Sequence, residues 1–173
     1  MAELSPLLTE AQIAARIAEL AAEIAQDHGD EEVILVGILK GSIYFLADLS
    51  RHLGENVRVD TMRVSSYGDE MSSSGMVRLV SDLTLNIENR NVVLVEDIVD
   101  TGTTLEHLLE LLGTRHPKQI RIAALLSKPE TRTTDVPITY LGFEIPNAFV
   151  VGFGLDYAER YRNLPFIAIY REE

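Results

Sequence analysis

The chain has 173 residues, a length typical of one domain that can bury a substantial hydrophobic core. Its formal net charge of −12 disfavours broad binding to nucleic acid, because such binding depends on Lys and Arg side chains that neutralise phosphates. The sequence contains no cysteine, and its four histidines lack the spacing of a metal site, which excludes disulfides, thiolate catalysis and cysteine-bound zinc and leaves oxygen ligands for any metal.

Neither a membrane span nor a secretory signal is predicted. No window reaches the roughly eighteen consecutive apolar residues that a transmembrane helix needs. The first residues include acids and polar side chains where a signal peptide would have a basic start and an apolar core. We therefore expect a cytoplasmic protein in which residues 1–173 form a single domain.

Apolar residues at helical spacing predict a helix near the N-terminus. Thr9 and Gln12 have the pattern of a capping box at its start, and Gly29 is expected to end it. The predicted buried face consists of Ile13, Ile17, Leu20, Ala21 and Ile24. The pattern then predicts a strand at 33–38, a helix at 42–53 and a strand at 57–64.

Residues 67–75 have a different composition. They are polar and rich in serine and glycine, and they show neither helical nor strand periodicity, whereas residues 76–83 resume a strand-like pattern. We interpret the region of about 65–78 as a lid, or flap, flanked by two strands. Its first residues are Ser65, Ser66, Tyr67 and Gly68.

The most informative pattern in the chain is the mid-chain segment VVLVEDIVDTGTTL. The aliphatic run 92–95 is typical of a strand buried on both faces of a parallel sheet, and Glu96 and Asp97 are expected at its exposed end. Residues 100–104 then supply hydroxyls, backbone amides and a glycine, just before a helix that should end at Gly113. Because free amides at a helix start can hold a phosphate, the segment predicts a phosphate and sugar site.

Other interpretations of this segment are weaker. Acids at a strand end are often only solvated side chains. The triplet Asp100-Thr101-Gly102 also occurs in aspartic proteases, but those enzymes need two carboxylates sharing one proton in a β-rich fold, whereas this triplet leads into a helix. A nucleotide P-loop needs a lysine after its glycines, and no lysine lies between Asp97 and Lys118.

Three further strands are predicted, at 120–126, 148–153 and 166–170. Strands separated by helices favour parallel crossovers in an α/β sheet, and ligands of such sheets bind beyond the carboxyl ends of the strands. Four charged side chains follow predicted strands and should therefore meet at one edge of the sheet: Lys40, Glu96, Asp100 and Lys128.

Taken together, these segments resemble the type I phosphoribosyltransferase family. Residues 96–104 are similar to its phosphoribosyl-pyrophosphate loop, and Leu39-Lys40-Gly41 is similar to its pyrophosphate loop, where the family often has a cis peptide. Lys128 and the stretch 142–162 (GFEIPNAFVVGFGLDYAERYR) narrow the resemblance to members that use hypoxanthine and guanine. The resemblance implies a mostly parallel twisted sheet flanked by helices, a small hood from the N-terminal segment and about 129–173, and a mobile flap.

The resemblance further implies a purine-salvage enzyme of compact, bacterial type. Such an enzyme uses Mg²⁺ and transfers the 5-phosphoribosyl group from phosphoribosyl pyrophosphate to hypoxanthine or guanine, which gives IMP or GMP and pyrophosphate. A homodimer or homotetramer is implied in the same way. Since the ligand is a polyanion and the chain is acidic, Mg²⁺ together with Lys40, Lys128 and Arg162 would have to make the pocket locally positive.

The resemblance also assigns residues to the sugar and phosphate groups. Glu96 and Asp97 would contact the ribose hydroxyls and the nearby Mg²⁺, and Asp100 would accept a proton late in the reaction from the imidazole-ring nitrogen of the purine. The 5-phosphate loop would comprise Asp100, Thr101, Gly102, Thr103 and Thr104, although many relatives have a basic or bulky residue in place of Thr103. The pyrophosphate would be bound by Lys40, Gly41 and Arg162.

On the purine side, the resemblance has Lys128 donate to the 6-oxo group, which disfavours the amino group of adenine. Phe149 would stack on the purine, and Val150 and Asp156 would offer backbone groups to its edge, with the Asp156 carboxylate available to a second Mg²⁺. Tyr67 and the rest of the flap would close over the reaction and exclude water.

Two other functions remain open. One is a phosphoribosyltransferase for xanthine or another base, since Lys128 suits any 6-oxopurine. The other is a regulator that senses phosphoribosyl pyrophosphate while it binds RNA or DNA. The acidic balance and the complete set of site residues disfavour this second function.

Overall fold

Two β-sheets and the helices around them make up the computed structural model, which describes residues 3–66 and 77–172. The strands are β1 (Glu3–Leu8), β2 (Val33–Leu39), β3 (Val57–Ser66), β4 (Val77–Ser81), β5 (Asn91–Val99), β6 (Gln119–Ser127), β7 (Tyr140–Glu144), β8 (Val150–Val151) and β9 (Ile167–Arg171). The helices are α1 (Glu10–His28), α2 (Ile43–His52) and α3 (Thr103–Gly113), with a short 3-10 turn at Pro129–Thr131.

The larger sheet has six strands in the order β4-β3-β2-β5-β6-β7. Its strands run parallel except β4, which pairs antiparallel with β3 at one edge. A separate antiparallel sheet has the order β1-β9-β8 and joins the N-terminal segment to the C-terminal part of the chain. The predicted α/β class, with a mostly parallel sheet flanked by helices, is therefore confirmed.

The core lies on both faces of the larger sheet, as alternation along its strands requires. Val33 and Leu35 of β2 pack in one cluster with the buried faces of α1 and α2. Ile34 and Val36 of the same strand pack in a second cluster with the apolar face of α3. Because β2, β5 and β6 are covered on both faces, their sequences read as continuous apolar runs.

Helix α1 begins and ends where the sequence predicts. The Thr9 amide donates to Gln12 Oε1 at 2.9 Å, and the Gln12 amide donates to Thr9 Oγ1 at 3.2 Å, which completes the capping box. Gly29 follows the helix with φ of 56°, a conformation that favours glycine. All five residues of the predicted apolar face are buried.

Strand β5 continues beyond the predicted run 92–95, and this corrects one expectation. Its pairing with β2 ends at Val95, but its pairing with β6 continues to Val99. Glu96 and Asp97 therefore lie inside the strand rather than at an exposed end, and Glu96 is only 8% exposed. Because both side chains are polar, the apolar pattern of the sequence stops at Val95 and does not predict that the strand continues.

Two further differences concern short elements. Strands β1 and β7 have no counterpart in the predicted pattern, because both are short and alternate only partly between buried and exposed residues. Strand β8 covers just two residues of the predicted 148–153, because the chain turns at Gly152, whose φ is 99°. Among the helices within residues 3–66 and 77–172, none has the length and apolar composition needed to cross a membrane.

Candidate active site

The ends of three neighbouring parallel strands bring the predicted site residues together. Strands β2, β5 and β6 are adjacent in the sheet, and Lys40, Asp100 and Lys128 each follow the last residue of one of them. The Lys128 amide donates to the Val99 carbonyl at 3.0 Å, which ties the ends of β5 and β6 to each other. Lys40, Asp100 and Lys128 therefore converge at one edge of the sheet as predicted, whereas Glu96 lies inside β5 rather than after a strand.

An open cleft of about 360 Å³ lies at this edge. The predicted residues that line it come from the sugar, phosphate and pyrophosphate groups: Lys40, Gly41, Glu96, Asp97, Asp100, Thr101, Gly102, Thr104 and Arg162. Thr103 is not among the described lining residues; it is the first residue of α3 and is half-buried. The cleft is thus shaped by segments that are far apart in sequence.

Two adjacent acids of β5 form the floor of the cleft. Burial, together with the negative charge of Asp97, raises the pKa of Glu96 well above its ordinary value. Burial also raises the pKa of Asp97, although its hydrogen bonds and the charge of Arg162 oppose that change. Two adjacent carboxylates with so little access to solvent are suited to bind a cation, because its charge would replace the stabilisation that water otherwise provides.

The segment Leu39-Lys40-Gly41, the predicted pyrophosphate loop, forms a turn that packs tightly against these acids. We refer to it as the pyrophosphate turn. The Leu39–Lys40 peptide bond is cis. A Cβ on Gly41 would overlap the Asp97 carboxylate, and a Cβ on Gly154 would overlap the Gly41 carbonyl. The turn is therefore held between β5 and the 152–162 segment, at a distance that only glycine permits at positions 41 and 154.

The phosphate loop is fixed by a neighbouring loop. The Thr101 carbonyl accepts the Thr133 amide at 3.1 Å and the Thr134 amide at 3.2 Å. Gly102 has φ of 90°, and a Cβ there would lie 3.0 Å from the Thr134 carbonyl oxygen. Gly102 also occupies the N-cap position of α3, where it has no side-chain oxygen to cap the helix amides. The Thr103 amide donates to Thr101 Oγ1 at 3.4 Å, and the next amides of the first turn are positioned to bind an anion.

Asp100 and Lys128 face each other. The Lys128 ammonium lies 3.6 Å from Asp100 Oδ2, and the lysine side chain is 10% exposed whereas the aspartate side chain is 52% exposed. This places a nearly buried cation beside a carboxylate that opens onto the cleft. A ligand that contacts Asp100 would therefore lie within reach of Lys128.

The two predicted pyrophosphate cations are already paired with acids of the 156–162 segment. Lys40 Nζ lies 2.8 Å from Glu159 Oε2. Arg162 lies 2.9 Å from Asp156 Oδ1 and 3.4 Å from Glu159 Oε1, and its Nη1 donates to the Gly154 carbonyl at 2.7 Å. One short segment thus positions Arg162 and supplies the partners of both cations.

The predicted purine-side aromatic is exposed rather than part of the core. Phe149 is 52% exposed and meets the rings of Tyr157 and Tyr170 edge-on, at centroid distances of 5.9 and 6.0 Å. Val150 is buried in β8. Neither Phe149 nor Val150 is among the described lining residues of the cleft, so their predicted contact with a purine stays a prediction.

The flap residues are only partly described. Ser65 and Ser66 end β3 and pair with Arg78 and Val77 of β4, so the two predicted flanking strands are present. Tyr67 and Gly68 lie outside the described residues. Over the described ranges, no group of three or more His, Asp or Glu side chains forms a metal cluster, so Glu96, Asp97 and Asp156 are not gathered into one site.

Sequence reasoning missed several residues of the site. Glu159 pairs with Lys40, Thr133 and Thr134 hold the phosphate loop, and Gly154 makes room for the pyrophosphate turn. The spacing of Gly152 and Gly154 in the stretch VVGFGLD was a usable signal for a close approach of backbone. The roles of the other three residues depend on contacts between distant segments, for which the sequence gives no local sign.

Comparisons with known proteins agree with this geometry. The family model described as "Phosphoribosyl transferase domain" matches residues 4–158. The hypoxanthine-guanine phosphoribosyltransferase of Dictyostelium discoideum is 48% identical over 171 residues, covering 96% of this chain and 95% of the relative. That of Bacillus subtilis (strain 168) is 45% identical over 165 residues, covering 95% of this chain and 92% of the relative.

A solved structure has the same fold. The crystal structure of a hypoxanthine-guanine phosphoribosyltransferase from Bacillus anthracis superposes with a TM-score of 0.93 at 43% sequence identity. The match covers 96% of this chain and 99% of the other. The likeness extends over the sheet, the helices and the cleft alike, so it is not limited to the phosphate loop.

Proposed function

The chain belongs to the phosphoribosyltransferase family, and on this premise we propose that its cleft transfers the 5-phosphoribosyl group from phosphoribosyl pyrophosphate to hypoxanthine or guanine. The products are IMP or GMP and pyrophosphate. The observation that carries the proposal is the position of Lys128, which lies 3.6 Å from Asp100. Asp100 in turn lines the cleft together with Thr101, Gly102, Lys40 and Gly41.

The phosphate groups at the two ends of the sugar donor would be bound by different segments. Thr101, Gly102 and Thr104 line the cleft at the start of α3, where amides and the helix dipole favour the 5-phosphate. Lys40 and Arg162 lie at the other wall and would bind the pyrophosphate, the arginine through paired donors. The ribose would then lie above β5, between the two anion sites.

The acids of β5 would act on the reacting sugar. As pyrophosphate leaves, positive charge develops at the anomeric carbon, and carboxylates positioned beforehand stabilise such charge. Glu96 and Asp97 would also hold Mg²⁺, with Asp156 as a ligand for a second ion. When bound, Mg²⁺ would neutralise the pyrophosphate and strengthen it as a leaving group.

The base would be oriented by Lys128 and Asp100. Lys128 has hydrogens to donate and suits the 6-oxo acceptor of hypoxanthine or guanine, whereas the adenine amino group would meet a donor with a donor. Asp100 would accept a hydrogen bond from the imidazole side of the purine. This bond strengthens as the attacking ring becomes cationic, so the carboxylate takes the proton late.

The decisive experiment is an ultraviolet assay of the purified protein with phosphoribosyl pyrophosphate, Mg²⁺ and each base in turn. We expect IMP and GMP to form and AMP not to form. Lys128→Gln should raise the KM for hypoxanthine roughly tenfold or more, because a charged hydrogen bond is lost. Lys118→Gln is the matched control, since Lys118 pairs with Glu31 away from the cleft.

Three results would contradict the proposal. The first is no nucleotide with either base, the second is faster turnover with xanthine or adenine, and the third is equal kinetics in the two lysine variants. The proposed homodimer or homotetramer is tested separately by light scattering during gel filtration.

A further inference from the structure

The Glu159 carboxylate pairs with both cations that are proposed to bind pyrophosphate, Lys40 and Arg162. Its Oε2 lies 2.8 Å from Lys40 Nζ, and its Oε1 lies 3.4 Å from Arg162 Nη2. Lys40 and Arg162 both line the cleft, and Glu159 is 119 residues away from Lys40 in sequence. One carboxylate therefore bridges the two cations with an oxygen for each.

A strained turn holds Glu159 in this position. Ala158 and Glu159 have φ of 50° and 61°, the left-handed conformation that residues other than glycine and asparagine seldom adopt. The flanking residues Tyr157 and Arg160 exchange both backbone hydrogen bonds, at 3.1 and 3.0 Å, and Asp156 Oδ2 accepts the Glu159 amide at 2.8 Å. The surrounding bonds thus maintain a backbone that the Ala-Glu sequence would not choose alone.

We propose that Glu159 is an internal competitor of pyrophosphate: its carboxylate binds Lys40 and Arg162 when the pyrophosphate subsite is empty and must give them up when pyrophosphate or the sugar donor enters. The inference rests on the proposed function, because it needs these cations to bind pyrophosphate. In this role Glu159 weakens the binding of the leaving group but does not contact the reacting atoms.

The charges of these three side chains favour competition between Glu159 and pyrophosphate over a purely structural role for Glu159. The Glu159 side chain is 66% exposed and lies between an ammonium and a guanidinium group, so its carboxylate is ionised at neutral pH. An ionised carboxylate beside a pyrophosphate repels it. Both effects, loss of its partners and repulsion, lower the affinity for pyrophosphate and favour its release.

The test is titration calorimetry of the whole protein with inorganic pyrophosphate and Mg²⁺. Glu159→Gln keeps the size of the side chain and removes its charge, so pyrophosphate should bind about threefold to tenfold more tightly at low salt, the scale of two partly exposed ion pairs. High salt should shrink this difference. In the forward reaction, the KM for phosphoribosyl pyrophosphate should fall, while the KM for hypoxanthine should not change.

Two further variants separate the local effect from other causes. Glu159→Asp keeps the charge and should bind pyrophosphate within about twofold of the wild type. Glu88→Gln makes the same change in net charge at an exposed position. Glu88 precedes β5 and so lies towards the amino ends of the parallel strands, away from the cleft, and this variant should bind pyrophosphate as the wild type does. If Glu159→Gln alone binds pyrophosphate more tightly than the wild type, damage to the fold is excluded as the cause, because damage would weaken binding.

Two outcomes would overturn the inference. If the wild type forms nucleotide and binds pyrophosphate but Glu159→Gln binds it equally or more weakly, Glu159 only positions Lys40 and Arg162, and the proposed function stands. If the wild type neither forms nucleotide nor binds pyrophosphate, the proposed function fails and the competition fails with it.

Discussion

Gly41 and Asp97 show how closely the cleft residues depend on one another's size. The Asp97 carboxylate occupies the space that a Cβ on Gly41 would need, and the Gly41 carbonyl occupies the space that a Cβ on Gly154 would need. At position 41 the requirement for glycine is steric, whereas at position 154 a φ of 102° adds a conformational reason. The pyrophosphate turn is thereby fixed against the acids.

Gly41→Ala is therefore expected to damage both the fold and the site. The added methyl group must displace the Asp97 carboxylate or the turn, which should cost roughly 1–3 kcal/mol of unfolding free energy and raise the KM for phosphoribosyl pyrophosphate. Urea unfolding and initial rates measure the two effects. Gly113→Ala is the control, because a Cβ there meets no atom within 4 Å. Equal changes in the two variants would contradict the steric argument.

Asp100→Asn tests the proposed proton acceptor. Asparagine keeps the shape of the side chain and can still accept a hydrogen bond, but it cannot take the proton from the attacking purine. We expect kcat to fall by about 100-fold or more at saturating substrates, the usual scale of general base catalysis. Asp30→Asn, at an exposed position far from the cleft, should leave kcat unchanged. Near-normal turnover of Asp100→Asn would rule out the role.

Elements with a complete apolar face can be predicted from the sequence, and elements with polar interruptions cannot. Helix α1 follows its apolar spacing from cap to cap, and the central strands follow their apolar runs. The last four residues of β5 were missed because Glu96 and Asp97 look like a strand end. Strand β1 was also missed because it pairs with β9, which is far away in sequence.

The site divides in the same way. Residues in a local pattern can be singled out from the sequence, and these line one cleft: Lys40, Gly41, Asp100, Thr101, Gly102 and Thr104. Glu159 cannot, because its role depends on a turn with positive φ that the residues Ala158 and Glu159 do not signal. Taken alone, the run AFVVGF reads as core, and only the family resemblance predicted a Phe149 that faces a ligand; the side chain is 52% exposed.

The turn at Ala158 and Glu159 also predicts a stabilising substitution. Two central residues with positive φ define the turn type that prefers asparagine at its first position. Ala158→Asn should therefore raise the unfolding free energy by about 0.5 kcal/mol. Ala22→Asn, at an exposed position inside α1, should lower it by a similar amount, about 0.5 kcal/mol, through loss of helix propensity. Changes of the same sign in urea unfolding would contradict this account of the turn.

At the scale of the whole molecule, an acidic chain must accommodate a polyanion. Each cation expected to make the pocket locally positive already faces a carboxylate: Lys40 faces Glu159, Arg162 faces Asp156, and Lys128 faces Asp100. The cleft also contains the buried Glu96 and the half-buried Asp97. The protein alone therefore supplies little net positive charge there, which explains why the proposed reaction needs a divalent cation.

The buried acids should also make stability depend on pH. Burial and the charge of Asp97 raise the pKa of Glu96 well above its ordinary value of 4.5. Such a group binds more protons in the folded than in the unfolded state. Its contribution to stability is therefore fully present below the unfolded pKa and is lost as the pH rises through the folded pKa. Asp97, whose pKa burial also raises, acts in the same direction.

For the metal-free protein, the unfolding free energy should therefore decrease as the pH rises above about 4.5, and Glu96→Gln should reduce that dependence. At pH 8 the variant should be more stable than the wild type by on the order of 1 kcal/mol, because a buried charge is removed.

Glu88→Gln makes the same change in net charge at an exposed position and should keep the wild-type slope, which separates the buried acid from the general acidity of the chain. Mg²⁺ should stabilise the wild type at pH 8 more than it stabilises Glu96→Gln, since the cation offsets the same buried charge. Parallel pH profiles of urea unfolding for the wild type and Glu96→Gln would show that Glu96 titrates alike in the folded and unfolded states, which contradicts a raised pKa in the folded protein.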